Sequence, residues 1–225
     1  MKIFVLSIRP EEKAQRTGGA CFDILNVPVT RLEPIPVDYT DLIRSGVDCV
    51  AFTSSYGVRL FFKNAPVKNF RYFGIGKSTC EEVRKYGYDC EYPEKMDSEG
   101  LADMIISHCS GRKVALIRSA NANEIVNEKI MGHVDFIDLR NYRAVNTNVD
   151  LTPYMAKEEC MGIIVTSSME AKIAMPAIKA TGKPVYSIGS VTTKTLEEAG
   201  IHPAISGNSD FVDLVEKIKK YLCLV

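Results

Sequence analysis

Short apolar runs alternate with amphipathic stretches along much of the chain. CVAFT (49–53) and GIIVT (162–166) are apolar runs that end in a hydroxyl residue, which is typical of buried parallel strands. Each leads through serines, which are good N-cap residues, into an amphipathic stretch at 56–63 or 169–180. FRYFGI and VYSI predict the next strands, and KSTCEEVRKYG and SVTTKTLEEAG the next helices. This alternation predicts an α/β fold, with parallel sheets that carry helices on both faces.

The second half of the chain repeats the first at a constant spacing. Ser54 and Ser167 are 113 positions apart, and the same spacing separates Gly76 from Gly189. Such a period is too long for a solenoid and has the size of a domain. The sequence therefore predicts two copies of one α/β unit.

The ends of the predicted elements carry their own signals. A glycine closes one helix of each copy, at Gly87 and at Gly200, and is placed like a C-terminal cap. The last helix of the second copy is predicted to be capped by Asn208 or Ser209. Residues 25–38, with three prolines, and residues 135–147 are predicted to be extended. These two segments occupy corresponding places in the two copies and bridge them as either parallel or antiparallel neighbours.

Composition and charge exclude several classes of protein. The chain has 225 residues, 46% of them hydrophobic, with 28 basic and 28 acidic side chains and no basic stripe. A nucleic-acid partner is therefore not expected. No segment approaches the roughly 20 apolar residues that span a membrane. The N-terminus lacks the apolar core and cleavage site of a signal peptide, so we expect a cytoplasmic protein without a membrane partner.

Cysteine and histidine usage bears on redox state and metals. The seven cysteines are scattered and contain no CxxC pair, so we expect reduced, partly buried thiols. The three histidines, His108, His133 and His202, have no cysteine or carboxylate at metal-ligand spacing. We expect no protein-bound metal.

Polar groups gather where the predicted strands end. Ligands of open α/β sheets bind at the carboxyl ends of strands, and the N-terminus of a following helix favours phosphate or carboxylate. Any single serine or threonine here is explained as well by helix capping, but Arg9, Lys77 and Arg118 are not. The predicted anion-binding set is Arg9, Thr53, Ser54, Ser55, Gly76, Lys77, Ser78, Thr79, Arg118, Ser119, Thr166, Ser167, Ser168, Gly189, Ser190, Thr192 and Thr193.

Common catalytic and nucleotide motifs do not fit. GIGKST lacks the first glycine of a P-loop, because that position is Arg71, and the third glycine of a dinucleotide fingerprint, because that position is Thr79. No GxSxG motif is present. Tyr142 lies within the second extended segment, near any cleft between the two copies. It is either a proton donor or an aromatic residue that packs a hinge.

Six segments together resemble the uroporphyrinogen-III synthase family over most of the chain. They are SIRP, VAFTSSYGV, IGKST, NYRAV, IVTSS and IGSVTT. The resemblance implies two α/β domains of similar fold joined by a two-stranded linker, with the active site in a cleft between them. Carried over to this sequence, residues 1–34 and 146–225 form a discontinuous first domain and residues 38–141 the second. Residues 35–37 and 142–145 are then the linker strands.

The resemblance also implies a reaction. The family closes the linear tetrapyrrole hydroxymethylbilane with loss of water and inversion of ring D, without a metal or organic cofactor. The substrate carries eight carboxylates, which agrees with a polar, partly basic binding rim. Tyr142 in NYRAV matches the linker tyrosine that is the family's favoured general acid. Where the family usually has proline or a small residue after Thr-Ser, this chain has Ser55 and Ser168. A monomer is the expected state.

Two other functions are compatible with the residues. The first is a non-catalytic, two-domain binding module for an anionic small molecule, which would bind the tetrapyrrole without converting it. The second is a sugar-phosphate or nucleotide-sugar enzyme that uses the same strand-end loops, and it predicts stabilisation by nucleotides.

Overall fold

Strands and helices alternate along the part of the chain that the computed structural model describes, which comprises residues 2–14, 21–65 and 70–223. The strands are β1 (Phe4–Ser7), β2 (Asp23–Asn26), β3 (Thr30–Pro34), β4 (Val47–Phe52), β5 (Arg71–Gly74), β6 (Cys90–Glu91), β7 (Lys113–Ser119), β8 (Asp135–Asn146), β9 (Cys160–Val165), β10 (Val185–Ser187) and β11 (Ile205–Ser206). The helices are α1 (Thr40–Arg44), α2 (Ser55–Asn64), α3 (Lys77–Arg84), α4 (Ser98–His108), α5 (Ile125–Ile130), α6 (Thr152–Met155), α7 (Ser168–Thr181), α8 (Ser190–Glu197) and α9 (Phe211–Cys223). A short 3-10 helix, Glu11–Lys13, follows β1.

The chain divides into two compact units. The first unit comprises Met1–Arg31 and Val145–Val225, and the second comprises Leu32–Ala144. In this division into compact units, residues 35–37 and 142–144, which we expected to be linker, belong to the second unit.

Each unit is built on its own sheet. The sheet of the first unit has the strand order β11-β10-β9-β1-β2, and every pairing in it is parallel. The other sheet has the order β3-β8-β7-β4-β5-β6, and its pairings from β8 to β6 are parallel.

The two extended segments are neighbours in the second sheet, as β3 and β8. The Ile35 N–H donates to the Asn141 carbonyl, and the Thr147 N–H donates to the Val29 carbonyl. Residue numbers therefore increase in opposite directions along the two segments, which run antiparallel. The sequence had left their direction open.

Helices cover both faces of the second unit's sheet. Successive side chains of a strand point to opposite faces. In β4, Val50 and Phe52 pack with residues of α2 and α3, whereas Cys49 and Ala51 pack with residues of α4 and α5. Both layers of side chains are buried, so the short apolar runs of the sequence are central strands with two covered faces.

The first unit follows the same plan. Leu6 of β1 packs with residues of α7 and α8, and its neighbour Val5 packs with residues of α9. The prediction of parallel sheets flanked by helices is therefore confirmed in both units.

Several helix boundaries agree with the sequence, and one does not. Gly87 and Gly200 follow α3 and α8 with φ angles of 84° and 76°, in the left-handed region that glycine adopts most readily. At α9, however, the carboxylate of Asp210 accepts the Asp213 N–H at 2.8 Å, so the prediction of Asn208 or Ser209 as its cap is wrong. Ser209 has a φ of 72°, and the chain therefore turns before the helix can start.

The cysteines also differ from the expectation. Disulfides join Cys21 to Cys223 and Cys80 to Cys90, with Cα–Cα distances of 6.2 and 5.1 Å. The expectation of reduced thiols is therefore wrong for these four residues, because folding brings together cysteines that are 202 and 10 positions apart. Cys49, Cys109 and Cys160 are free and buried.

Candidate active site

Tyr142 lies in β8, opposite Ser119 at the carboxyl end of the neighbouring strand β7. Only 4% of its surface is exposed. Burial raises the pKa of its phenol above the ordinary value, while hydrogen bonding with the side chains of Ser54 and Ser119 partly opposes the rise. The ring of Tyr56 packs edge-on against the Tyr142 ring, with centroids 5.1 Å apart. Tyr142 is thus a buried, protonated phenol next to two hydroxyl groups.

Ser54 is positioned by helix α2, of which it is the N-cap. Its side chain accepts the Tyr56 N–H at 3.1 Å, and its extended backbone conformation is that of an N-cap residue. The capping prediction is therefore confirmed, and the same hydroxyl also interacts with Tyr142. Ser54 therefore caps the helix and contacts Tyr142 at the same time.

Gly57, in the first turn of α2, lies beside the Tyr142 ring. A Cβ atom at Gly57 would lie 3.5 Å from Cε1 of Tyr142 and 3.4 Å from Oδ1 of Asn141. The side-chain amide of Asn141 donates to the Gly57 carbonyl at 2.9 Å and to the Tyr39 hydroxyl at 3.0 Å. The sequence reasoning did not identify Asn141, because nothing in the sequence indicates that it faces a helix 84 residues away.

Ser119 is held at the end of β7 by local contacts. Its hydroxyl accepts the Asn121 N–H at 3.1 Å, and the Asn121 side chain accepts the Ala144 N–H at 2.7 Å. These bonds tie the chain after β7 to β8, so that Ser119 and Tyr142 stay neighbours.

Arg118 is placed differently from the other predicted anion-binding residues. It is 1% exposed and donates to both carboxylate oxygens of Asp138, at 2.7 and 2.9 Å, and to the Asn123 carbonyl at 2.6 Å. It also donates to Glu124. Substrate would have to break these bonds to reach the guanidinium, so Arg118 supports the strand end on which Ser119 stands.

Two loops of the second unit meet next to Ser54. The Ser55 hydroxyl donates to the Ser78 carbonyl at 3.1 Å, which joins the start of α2 to the start of α3. Thr53 is half-buried and donates its N–H to the Ile117 carbonyl.

The loop before α3 combines buried and exposed groups. Gly76 is the N-cap of α3, and a Cβ there would lie 3.2 Å from the Cβ of Met96. Thr79 is buried, whereas Lys77 and Ser78 are exposed. The Lys77 amine is 3.9 Å from Glu81, so it remains available to an anion in solution.

The first unit carries the counterpart of the Ser54 loop at Thr166, Ser167 and Ser168. Ser167 caps α7 by accepting the Glu170 N–H at 3.2 Å, and Ser168 shares a hydrogen bond with Thr195 at 2.8 Å. Glu170 is buried, and its carboxylate accepts the Thr166 N–H at 2.7 Å and the Thr166 hydroxyl at 2.9 Å. Burial raises the pKa of Glu170, and these bonds oppose the rise. An internal carboxylate therefore already occupies this loop.

Glu170 is a second residue that the sequence reasoning missed, although a signal was present. Ser167 and Glu170 stand at the S-x-x-E spacing of a capping box. In the structure the carboxylate reaches the amide one residue before the cap, so the motif indicates the position of Glu170 but not its partner.

Arg9 lies two residues beyond the end of β1 in the first unit. Its guanidinium stacks on the Phe211 ring, 4.2 Å from the centroid. Nε and Nη1 are buried and have no hydrogen-bond partner among the described residues. Burial lowers the pKa of Arg9, and the charges of Glu170 and Asp210 oppose this change.

The loop before α8 is the counterpart of the loop before α3. Gly189 is the N-cap of α8, Ser190 is exposed and Thr192 is buried. The Thr193 hydroxyl lies 2.6 Å from the Ser187 hydroxyl and 2.7 Å from the Ser206 hydroxyl. It is therefore hydrogen-bonded within its own unit.

Each unit therefore has its own group of strand-end residues, and the two groups differ. The second unit brings Ser54, Ser55, Ser78, Ser119 and Tyr142 together. In the first unit, the hydroxyls of Thr166, Ser168 and Thr193 form hydrogen bonds with neighbouring side chains. Within the residues described, no group of three or more histidine, cysteine, aspartate or glutamate side chains is arranged to hold a metal ion. None of the described helices combines the length and apolarity needed to cross a membrane.

The fold of this chain is similar to that of two solved structures. A uroporphyrinogen III synthase mutant from the extremely thermophilic bacterium Thermus thermophilus is 16% identical, with a TM-score of 0.65 over 99% of this chain and 100% of that chain. The uroporphyrinogen-III synthetase of Helicobacter pylori is 17% identical, with a TM-score of 0.68 over 98% of this chain and 100% of that chain. At these identities the likeness shows the fold. A search of curated proteins finds no match.

The sequence itself matches a family model. The model describes uroporphyrinogen-III synthase HemD, and it covers residues 11–216. Because this match spans most of the chain, the protein belongs to the uroporphyrinogen-III synthase family, the cyclising lyases that produce the tetrapyrrole uroporphyrinogen III.

Proposed function

We propose that Tyr142 is the general acid of the uroporphyrinogen-III synthase reaction in this protein. The observation that carries the proposal is its setting at the carboxyl end of the second sheet, where a buried phenol adjoins the Ser54 and Ser119 hydroxyls. The alternative of a non-catalytic binding module is not favoured by the family match.

The reaction needs one proton at its start and releases one at its end. The hydroxyl group on the first ring of hydroxymethylbilane leaves as water once it has been protonated, and an azafulvene cation remains. Ring D then attacks through its substituted carbon to give a spiro intermediate, which fragments and closes again with ring D inverted. Loss of a proton restores the neutral ring, and this proton can return to the acid.

The surroundings of Tyr142 suit this role. The phenol is protonated at neutral pH at its ordinary pKa and stays so with the pKa raised by burial, so the proton is present when substrate binds. Once the proton has moved, the hydroxyls of Ser54 and Ser119 can donate to the phenolate oxygen. The remainder of the catalysis is positional, because the linear chain must be held so that ring D attacks through the correct carbon.

Access to the phenol requires a local movement. Tyr142 is 4% exposed, so substrate reaches its hydroxyl only after covering side chains have shifted. Tyr56 is the half-buried neighbour whose ring packs against Tyr142.

We further propose that the strand-end groups bind substrate carboxylates. In the second unit, exposed Lys77 and Ser78 and the amides at the start of α2 and α3 support this role. In the first unit, Arg9 supports it, because two of its nitrogens have no partner among the residues that the structure describes. The proposed set is Arg9, Thr53, Ser54, Ser55, Gly76, Lys77, Ser78, Thr79, Ser119, Thr166, Ser167, Ser168, Gly189, Ser190, Thr192 and Thr193, with Arg118 acting through Ser119.

The remaining proposals concern the working state. We propose that the protein acts as a cytoplasmic monomer without nucleic-acid or membrane partners, which its balanced charge supports. Residues 1–34 with 146–225, and residues 38–141, would be its two functional domains, with 35–37 and 142–145 as linker. Sedimentation of the purified protein at a mass of 25.0 kDa would support the monomer, and twice that mass would contradict it.

The test of the acid role is the variant Tyr142→Phe, assayed with freshly prepared hydroxymethylbilane and separation of the product isomers. Wild type should form mainly the type III isomer, whereas unaided closure gives type I. The variant should form type III about 10²- to 10⁴-fold more slowly, the usual contribution of a general acid. The matched control is Tyr92→Phe, which removes a phenol hydroxyl from a residue that is 37% exposed, and it should leave the rate unchanged.

The two possible failures are separable. If wild type gave only type I product, the reaction itself would be rejected for this protein. If Tyr142→Phe were as fast as wild type, only the acid role would be rejected.

A further inference from the structure

Asn141 is a buried polar residue to which the reaction outlined above assigns no role. It is 1% exposed and directly precedes Tyr142 in β8. Its Nδ2 donates to the Gly57 carbonyl at 2.9 Å and to the Tyr39 hydroxyl at 3.0 Å. The side chain therefore joins β8 to the first turn of α2 and to the residue that precedes α1.

Asn141 is also the extra residue of a β-bulge. Arg118 of β7 is paired with Arg140, but the next residue, Ser119, is paired with Tyr142. Asn141 thus has no partner on β7. Bulges redirect the side chains that follow them and are frequent next to active sites. Here the bulge allows two successive residues, Asn141 and Tyr142, both to reach Gly57.

Only the nitrogen of the Asn141 amide is hydrogen-bonded among the described residues. Its Oδ1 atom is buried and has no hydrogen-bond partner among the described residues. A buried acceptor without a partner destabilises the folded state, and an apolar side chain of similar size would avoid that cost but would also remove the donor from the Tyr39 hydroxyl. The contribution of the amide therefore comes from its donor, which holds two neighbouring groups in place.

The donor holds the turn that carries Ser54. Gly57 is three residues after this N-cap, in the first turn of the same helix, and the Ser54 side chain accepts the N–H of the intervening Tyr56. A shift of this turn away from β8 would carry the Ser54 hydroxyl away from Tyr142.

We propose that Asn141 is a positioning residue for Tyr142: its amide pins the bulge of β8 to the first turn of α2 and thereby holds Ser54 at the Tyr142 hydroxyl. This inference rests on the acid role of Tyr142 proposed above. Asn141 itself does not touch substrate.

The test compares Asn141→Leu with wild type in the isomer-resolved assay. Leucine keeps the volume and removes both donor contacts together with the unpartnered acceptor. The kcat for type III product should fall about tenfold to hundredfold, as expected for a misplaced catalytic group, with KM changed by less than about threefold. The thermal unfolding midpoint should fall moderately, because removal of the buried acceptor only partly offsets the Tyr39 hydroxyl that is left without its donor.

Two further variants exclude a merely structural effect. Tyr39→Phe removes only the hydroxyl contact and should retain turnover within about twofold, because the Gly57 contact remains. The double variant Asn141→Leu/Tyr142→Phe should be no more than about threefold slower than Tyr142→Phe alone, because residues that act through one another are not additive.

Each outcome supports or overturns the positioning role of Asn141. Wild-type kcat in Asn141→Leu, or losses that multiply in the double variant, would overturn the positioning role while Tyr142 keeps its own. If Asn141→Leu does not fold, Tyr39→Phe/Asn141→Leu replaces both partners by apolar groups and is assayed instead, with the same expected loss. If Tyr142→Phe were fully active, the acid role would fail first and this inference with it.

Discussion

Removing the guanidinium of Arg118 tests whether this residue is a structural support or a substrate ligand. In Arg118→Met a side chain that is 1% exposed loses all its hydrogen bonds to Asp138 and Glu124. Breaking a buried ion pair from one side costs about 3–5 kcal/mol. Asp138 would keep bonds from Arg140 and Asn127, and Glu124 is 43% exposed. We therefore expect a loss at the lower end, about 3 kcal/mol.

The loss of stability in Arg118→Met should be larger at neutral pH than at acidic pH. Burial raises the pKa of Asp138, but hydrogen bonds from Arg118 and Asn127 outweigh this effect, and the net pKa is below its ordinary value. A carboxyl group with a lowered native pKa stabilises the fold above its unfolded pKa, and that contribution is lost as pH falls through the native pKa. The advantage of wild type over Arg118→Met should be complete at pH 7 and shrink below about pH 4.

The assay is urea unfolding followed by far-UV circular dichroism, because the chain has no tryptophan. The matched control is Arg143→Met, which breaks an ion pair between Glu33 and an arginine that is 58% exposed, and it should cost less than about 1 kcal/mol. A loss in Arg118→Met of under about 1 kcal/mol at pH 7, or one that does not shrink as the pH is lowered from about 4 to about 2.5, would refute the reasoning. A large rise in KM without a loss of stability would instead indicate a substrate ligand.

Two further predictions concern helix α2. Ser54→Ala should lower the free energy of unfolding by about 1 kcal/mol, because the N-cap is lost, and should slow type III formation. The control Ser55→Ala should leave the N-cap intact. Equal unfolding midpoints for the two variants would contradict the capping role. Phe61→Ala should lower the free energy of unfolding by about 3–5 kcal/mol. The Phe61 ring is 1% exposed and packs edge-on against the rings of Tyr39 and Phe52, with centroids 5.2 and 5.3 Å away. A urea midpoint close to that of wild type would show that the cavity collapses.

The two copies of the repeat differ at one informative position. Gly57 and Glu170 are 113 residues apart, and each lies three residues after the N-cap serine of its helix. Gly57 lies beside the Tyr142 ring, whereas the side chain of Glu170 turns back onto Thr166. The corresponding helix turns thus contact different groups, a phenol in the second unit and a strand-end threonine in the first.

The sequence by itself determined the elements and much of their order. Apolar periodicity, the serine caps Ser54 and Ser167, and the turn glycines act within a few residues of where they stand. For that reason the strand–helix units and the duplication could be predicted. Tyr142 was identified by resemblance, since composition and spacing alone left it between a proton donor and a packing residue.

Only the tertiary structure decided what the polar side chains do. Arg118 and Arg9 both stand at the end of a predicted strand. The guanidinium of Arg118 is hydrogen-bonded to two carboxylates, whereas Nε and Nη1 of Arg9 have no partner in the described part of the chain. Asn141 is bonded to residues 84 and 102 positions away, and its bulge arises from the register between two strands. Such contacts depend on which surfaces meet after folding, and the local pattern of apolar and polar residues carries no record of them.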